Sequence, residues 1–125
     1  MNTFISAVSA LNLNVVKVAV IDTGFDMNSN WSNAEKIGLT KPKLCSTGHY
    51  NFVEKNSDLK DNHGHGTHIA GLIAKDNQDT NYCLVILKYY DPKISFSNNL
   101  ENEILAIKKA IDLNVDVINI SGGVS

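Results

Sequence analysis

Apolar positions in this chain come in short blocks whose period changes from block to block. Phe4, Val8 and Leu11 are spaced as one face of a short helix. Val15 to Ile21 is β-branched and nearly all apolar, which predicts a strand buried on both faces and ending at Asp22-Thr23-Gly24. Asn, Ser, Pro and Gly dominate Asp26 to Gly48, which reads as an irregular excursion with Trp31 as its anchor. A short strand follows over His49 to Val53. Small and apolar residues then recur at helical spacing from about His65 to about Lys75, with an exit turn over Asp76 to Asn81. Tyr82 to Tyr90 predicts another buried strand, and Asp91 to Ser97 a loop. Asn98 with Glu101 resembles a capping box, and Leu100, Ile104, Ile107 and Ile111 line up as an apolar stripe on a helix running to about Leu113. Val115 to Ile120 is the last predicted strand, emptying into Ser121-Gly122-Gly123. Strands alternating with helices imply an α/β fold, a parallel sheet with flanking helices, and ligand groups where the strands' carboxyl ends meet loops. Asp22 and Ser121-Gly122-Gly123 both fall at such ends.

Composition narrows the picture. The 125 residues are 43% apolar, enough for one core and a single domain over 1–125. The net charge of -2 comes from interspersed acids and bases, with no basic block to follow a phosphate backbone, so nucleic acid is not an expected partner. The longest apolar run, Tyr82 to Leu87, is far short of the roughly 20 residues that span a bilayer. No membrane span or secretory leader is read, and a cytoplasmic location is the default expectation. Cys45 and Cys83 fit neither a disulfide framework nor a zinc spacing. Both read as free thiols that pack in the interior, with a single disulfide between them as the lesser alternative.

Two side chains suggest chemistry. Asp22 lies at the mouth of a buried strand, where a carboxylate must be hydrogen-bonded or paired to offset desolvation. Taken alone, it could simply close a turn with Thr23 and Gly24. His65 opens a helix between Gly64 and Gly66, so its ring can stand at a cleft edge as a general base. A buried carboxylate on one ring nitrogen would fix the tautomer that leaves the other free to take a proton. His63 and His68 are expected to serve the helix N-terminus structurally.

Three blocks, in order, carry a family resemblance: Val18-Ala-Val-Ile-Asp-Thr-Gly-Phe-Asp26, Asp61-Asn-His-Gly-His-Gly-Thr-His-Ile-Ala-Gly71 and Asp116-Val-Ile-Asn-Ile-Ser-Gly-Gly123. They resemble the subtilisin-like serine peptidases, the subtilases of peptidase family S8. The resemblance implies a subtilisin-like parallel α/β sheet in which Asp22 and His65 are catalytic, as the aspartate and base of a Ser-His-Asp triad. It also implies that Ser121, Gly122 and Gly123 form a substrate-binding wall, pairing with an extended peptide or protein substrate through main-chain hydrogen bonds.

The chain departs from the family pattern where the oxyanion Asn and the Gly-Thr-Ser segment of the nucleophile would follow, since neither is found before Ser125. Residues 1–125 therefore read as the N-terminal half of such a domain, incomplete at the C-terminus and expected to be inert alone. The implied partner is a C-terminal half carrying the Ser, from the same chain or a separate one. The alternative is a non-catalytic half-domain kept as a binding module, or one piece of a split enzyme. No cofactor is required and no metal is expected. Calcium, which the resemblance allows, is not supported, because the turn between the His65 helix and the Tyr82 strand is short. Asp22-Thr-Gly also resembles the retropepsin-like aspartic peptidases, but that all-β fold leaves the helix after Asn98 unexplained. His63-Gly-His65-Gly-Thr-His68 resembles the metallo-β-lactamase zinc motif, but Thr67 stands where that motif needs Asp.

Overall fold

In the computed structural model, which describes residues 14–121, strands and helices alternate: β1 (Val16–Asp22), α1 (Trp31–Lys36), β2 (Tyr50–Asn51), α2 (His65–Asp76), β3 (Tyr82–Lys88), α3 (Phe96–Asp112) and β4 (Val117–Ile120). The helix expected at Phe4 to Leu11, and Gly122 and Gly123, lie outside the described residues. The strands form one sheet in the order β2-β3-β1-β4, and every pairing is parallel.

Alternation along the central strands builds two cores. Val20, Leu84 and Ile86 face Ala70 and Ala74 of α2, with Phe25, Trp31 and Leu39 closing that layer. Ala19, Ile21, Val85 and Leu87 face Ala106 and Ala110 of α3 on the other side. The helices present alanines to the sheet, so their backbones approach it closely.

Four readings are corrected by tertiary context. The excursion after Asp26 contains the helix α1, capped by the Asn30 side chain accepting from Asn33 N at 3.1 Å. Trp31 is nonetheless the anchor expected: it is buried and stacks on Phe25 with ring centroids 5.9 Å apart. Helix α3 begins earlier than Asn98, because the Ser95 hydroxyl is the cap and accepts from Asn98 N. Its expected apolar stripe is not the buried face either. Leu100, Ile104 and Ile111 are exposed, Ile107 is partly buried against the core, and Ala106 and Ala110 meet the sheet. Finally, Cys45 and Cys83 are joined in a disulfide, with Cα atoms 4.8 Å apart. Leu84 N donates to Lys43 O and Cys45 N to Leu84 O, so residues 43–45 run beside β3 and bring the two thiols together across a distance in sequence that hid the pairing.

Candidate active site

Asp22 is the last residue of β1, and its register partner in the sheet is Lys88 of β3. The strand is central, so the carboxylate is delivered into the interior at the carboxyl edge of the sheet, only 2% exposed. His65 is the first residue of α2, entered through Gly64 at φ +96°, a left-handed conformation that a side chain at position 64 would strain. Gly64 thereby turns the chain so that the His65 ring crosses to β1.

The two side chains meet. His65 Nδ1 lies 2.8 Å from Asp22 Oδ1 and 3.0 Å from Oδ2, and Thr23 N donates to Oδ1 at 2.7 Å. An ionised carboxylate only accepts, so the hydrogen of this bond sits on Nδ1 and Nε2 keeps its lone pair. Among the described residues nothing hydrogen-bonds to Nε2. The His65 side chain is 37% exposed, so a proton acceptor with a fixed tautomer faces outward while its orienting carboxylate stays dry. This geometry suits proton abstraction from a group brought to the surface of the site.

Behind the pair lies a third residue whose part could not be read from its type. Asp61 is buried, and its carboxylate accepts from the Thr23 hydroxyl, His63 N and Gly64 N on Oδ1, and from Thr67 N and the Thr67 hydroxyl on Oδ2. Burial by itself raises its pKa. The hydrogen bonds from the Thr67 hydroxyl, Gly64 N, Thr67 N and the Thr23 hydroxyl outweigh that and hold the carboxyl below its ordinary value. The signal for it was the second block's opening Asp three residues before Gly64 and six before Thr67, a spacing that lets one carboxylate gather the free amides of a helix start.

Lys88, buried beneath Gly24, donates from Nζ to Lys60 O at 2.6 Å, and Phe25 N donates to Leu59 O at 2.7 Å, so the segment carrying Asp61 is tied to β3 and to the turn that follows β1. Tyr89 N donates to Asp22 O at 3.0 Å. Its phenol is pushed up to about 12, first by burial and then by the charges of Glu103 and Asp22.

His63 and His68 are exposed; the His63 ring stands edge-on to those of His65 and Tyr90, and His68 N bonds Gly64 O within the first turn of α2. The three histidines do not converge: among the described residues no group of three or more His, Cys, Asp or Glu side chains is placed to hold a metal ion. Ser121 follows β4 beside the carboxyl end of β1, as read, and its hydroxyl donates to Asn119 Oδ1. Among the described residues no helix is long and apolar enough to cross a membrane.

Comparison with known proteins matches residues 14–125 to the family described as the subtilase family, Peptidase S8. A cell wall-associated protease of Bacillus subtilis is 37% identical over 122 residues, covering 92% of this chain and 13% of that protein. A thermostable alkaline protease of Halalkalibacterium halodurans is 31% identical over 115 residues, covering 88% of this chain and 28% of that protein. Among solved structures, the crystal structure of a lanthipeptide protease superposes with a TM-score of 0.63 at 29% identity, covering 87% of this chain and 29% of that one. The chain thus spans a small part of each relative's length.

Proposed function

The chain belongs to the subtilase family, and on that premise we propose that it supplies the aspartate and the histidine base of a serine endopeptidase that cleaves peptide bonds in peptide or protein substrates. The observation that carries this reading is the His65 Nδ1 bond to Asp22, which leaves Nε2 outward and unbonded among the described residues. In this reading His65 takes the proton of an attacking serine and returns it to the leaving amine. Asp22 holds the ring and stabilises the imidazolium that forms. Ser121 to Gly123 offer main chain to an extended substrate.

The serine and the oxyanion donor come from polypeptide outside these 125 residues. The edge strand β4 supports that part of the proposal, because Val117, Ile118 and Ile120 are 48%, 37% and 37% exposed among the described residues. Further strands would pair with that edge and cover it. The Cys45–Cys83 bridge supports folding in an oxidising compartment over the cytoplasmic default, since such bonds are rare in reducing cytosol.

The test is labelling of the assembled enzyme with a fluorophosphonate probe, which marks an activated serine. His65→Ala abolishes labelling and His68→Ala spares it, provided both variants fold. Equal loss in the two would refute His65 as the base.

A further inference from the structure

We infer that Asp61 is a positioning residue that acts through the Thr23 hydroxyl to hold the Asp22 carboxylate against His65. Among its hydrogen bonds Asp61 makes none to Asp22 or to the His65 ring, so any hydrogen-bonded link to the pair passes through a neighbour. Thr23 is that neighbour. Its Oγ1 donates to Asp61 Oδ1 at 2.8 Å and accepts from Gly66 N at 2.8 Å. A hydroxyl has one hydrogen, and a carboxylate can only accept. The charge of Asp61 therefore fixes which way this hydrogen points and leaves the oxygen's lone pair for Gly66.

The consequence reaches both reacting residues at once. Thr23 follows Asp22 directly, and Thr23 N is itself a donor to Asp22 Oδ1 at 2.7 Å. Gly66 follows His65 directly. One buried oxygen thus joins the end of β1 to the first turn of α2, one peptide beyond each member of the pair. A carboxylate that only capped the helix would need the amides of His63, Gly64 and Thr67, which lie before or within α2. The bond from Thr23 crosses to the strand. Without it, Thr23 N is free to drift from Asp22 Oδ1, and the carboxylate loses a donor that sets its angle to the imidazole.

The experiment labels the four histidines with 15N and follows the His65 ring by NMR in the folded chain. Unfolding of Asp61→Asn would obscure the reading, so the deciding pair is Thr23→Val and Thr67→Val. Each deletes one hydroxyl donor to the same carboxylate, and only the first lies on the route to Asp22. Thr23→Val is expected to lose the exchange-protected Nδ1 proton resonance of His65 and to move the 15N shifts of its ring toward a mixture of the two tautomers, as the ring loses a well-placed partner. Thr23→Ser restores both signals. Thr67→Val lowers the melting temperature and leaves them in place. A folded Thr23→Val with unchanged His65 signals, or a Thr67→Val that moves them equally, overturns the inference.

The catalytic consequence, and only that, rests on the peptidase reading. In the assembled enzyme Thr23→Val lowers kcat on the order of a hundredfold with KM little changed. NMR changes without any serine-directed activity would sink the peptidase reading and leave the positioning role standing.

Discussion

The amide of Gly66 donates to the hydroxyl of Thr23 at 2.8 Å, one residue downstream of both His65 and Asp22. The approach is close enough that a side chain at position 66 has no room. A methyl group there would run into the carbonyl oxygen of Gly24 and stand 3.1 Å from Thr23 Oγ1. Gly66→Ala is therefore expected to push α2 off β1, destabilising the fold by about 1–3 kcal/mol. A urea titration followed by Trp31 fluorescence reads this as a lower midpoint; an unchanged midpoint would show that the two backbones separate freely.

Asp22→Asn preserves shape and removes the charge. The amide can donate to His65 Nδ1 and so select the tautomer with its lone pair on the wrong nitrogen. In the assembled enzyme turnover is expected to fall on the order of ten-thousandfold, with KM changed far less. A loss under tenfold would mean that His65 does not depend on Asp22 for its tautomer.

Acid should weaken the fold through Asp61. Its carboxyl is held below its ordinary value in the folded state, so the unfolded chain binds the proton more readily. The stabilisation is present above the unfolded carboxylate range and is lost as pH falls below about 4 and through the folded value. Thermal melts from pH 7 down to pH 2 check it: replacing Asp61 with Asn should flatten the acid limb of the curve, and an equally steep limb would place the sensitivity elsewhere.

Reduction opens a loop closed over a sequence separation of 38. Restricting that loop in the unfolded chain contributes about 3–4 kcal/mol on the chain-entropy estimate. Melting with and without a thiol reductant should differ accordingly, and alkylation under denaturing, non-reducing conditions should find neither Cys45 nor Cys83 reactive. Two titratable thiols in protein recovered from its native source would count against the oxidising-compartment reading.

Trp31 offers a contrast within one side chain. Its indole Nε1 is buried without a hydrogen-bond partner among the described residues, while its ring stacks on Phe25. Trp31→Phe removes an unsatisfied donor and keeps an aromatic ring, so a change below about 1 kcal/mol is expected. Trp31→Ala empties the layer beneath α2 and should cost about 3–5 kcal/mol. Comparable losses in the two would mean that the indole nitrogen is bonded after all.

Local pattern carried much of this molecule. The β-branched block before Asp22, the small-residue run after His65 and the apolar block from Tyr82 each became the predicted element within a residue or two, because burial on both sides of a parallel sheet demands continuous apolar strands. Asp22 and His65 were legible as a pair because the blocks that hold them resemble one family in order. The stripe on α3 misled for the same kind of reason. Leu100, Ile104 and Ile111 mark an apolar face, but periodicity cannot say which face meets the sheet, and the close approach of that helix selected Ala106 and Ala110.

The amino-acid sequence by itself determined the order of elements apart from α1, the parallel α/β class and the residue types able to hold and move a proton, since these follow from periodicity and side-chain chemistry over short spans. Tertiary structure alone decided which distant groups share a hydrogen bond. Asp61 and Thr23 stand 38 positions apart, His65 and Asp22 43, and the bridged Cys45 and Cys83 38. A strand pairing that runs residues 43–45 beside β3, and a glycine that turns the chain into α2, set those distances. Such contacts depend on where the whole backbone goes, and no local pattern encodes that path.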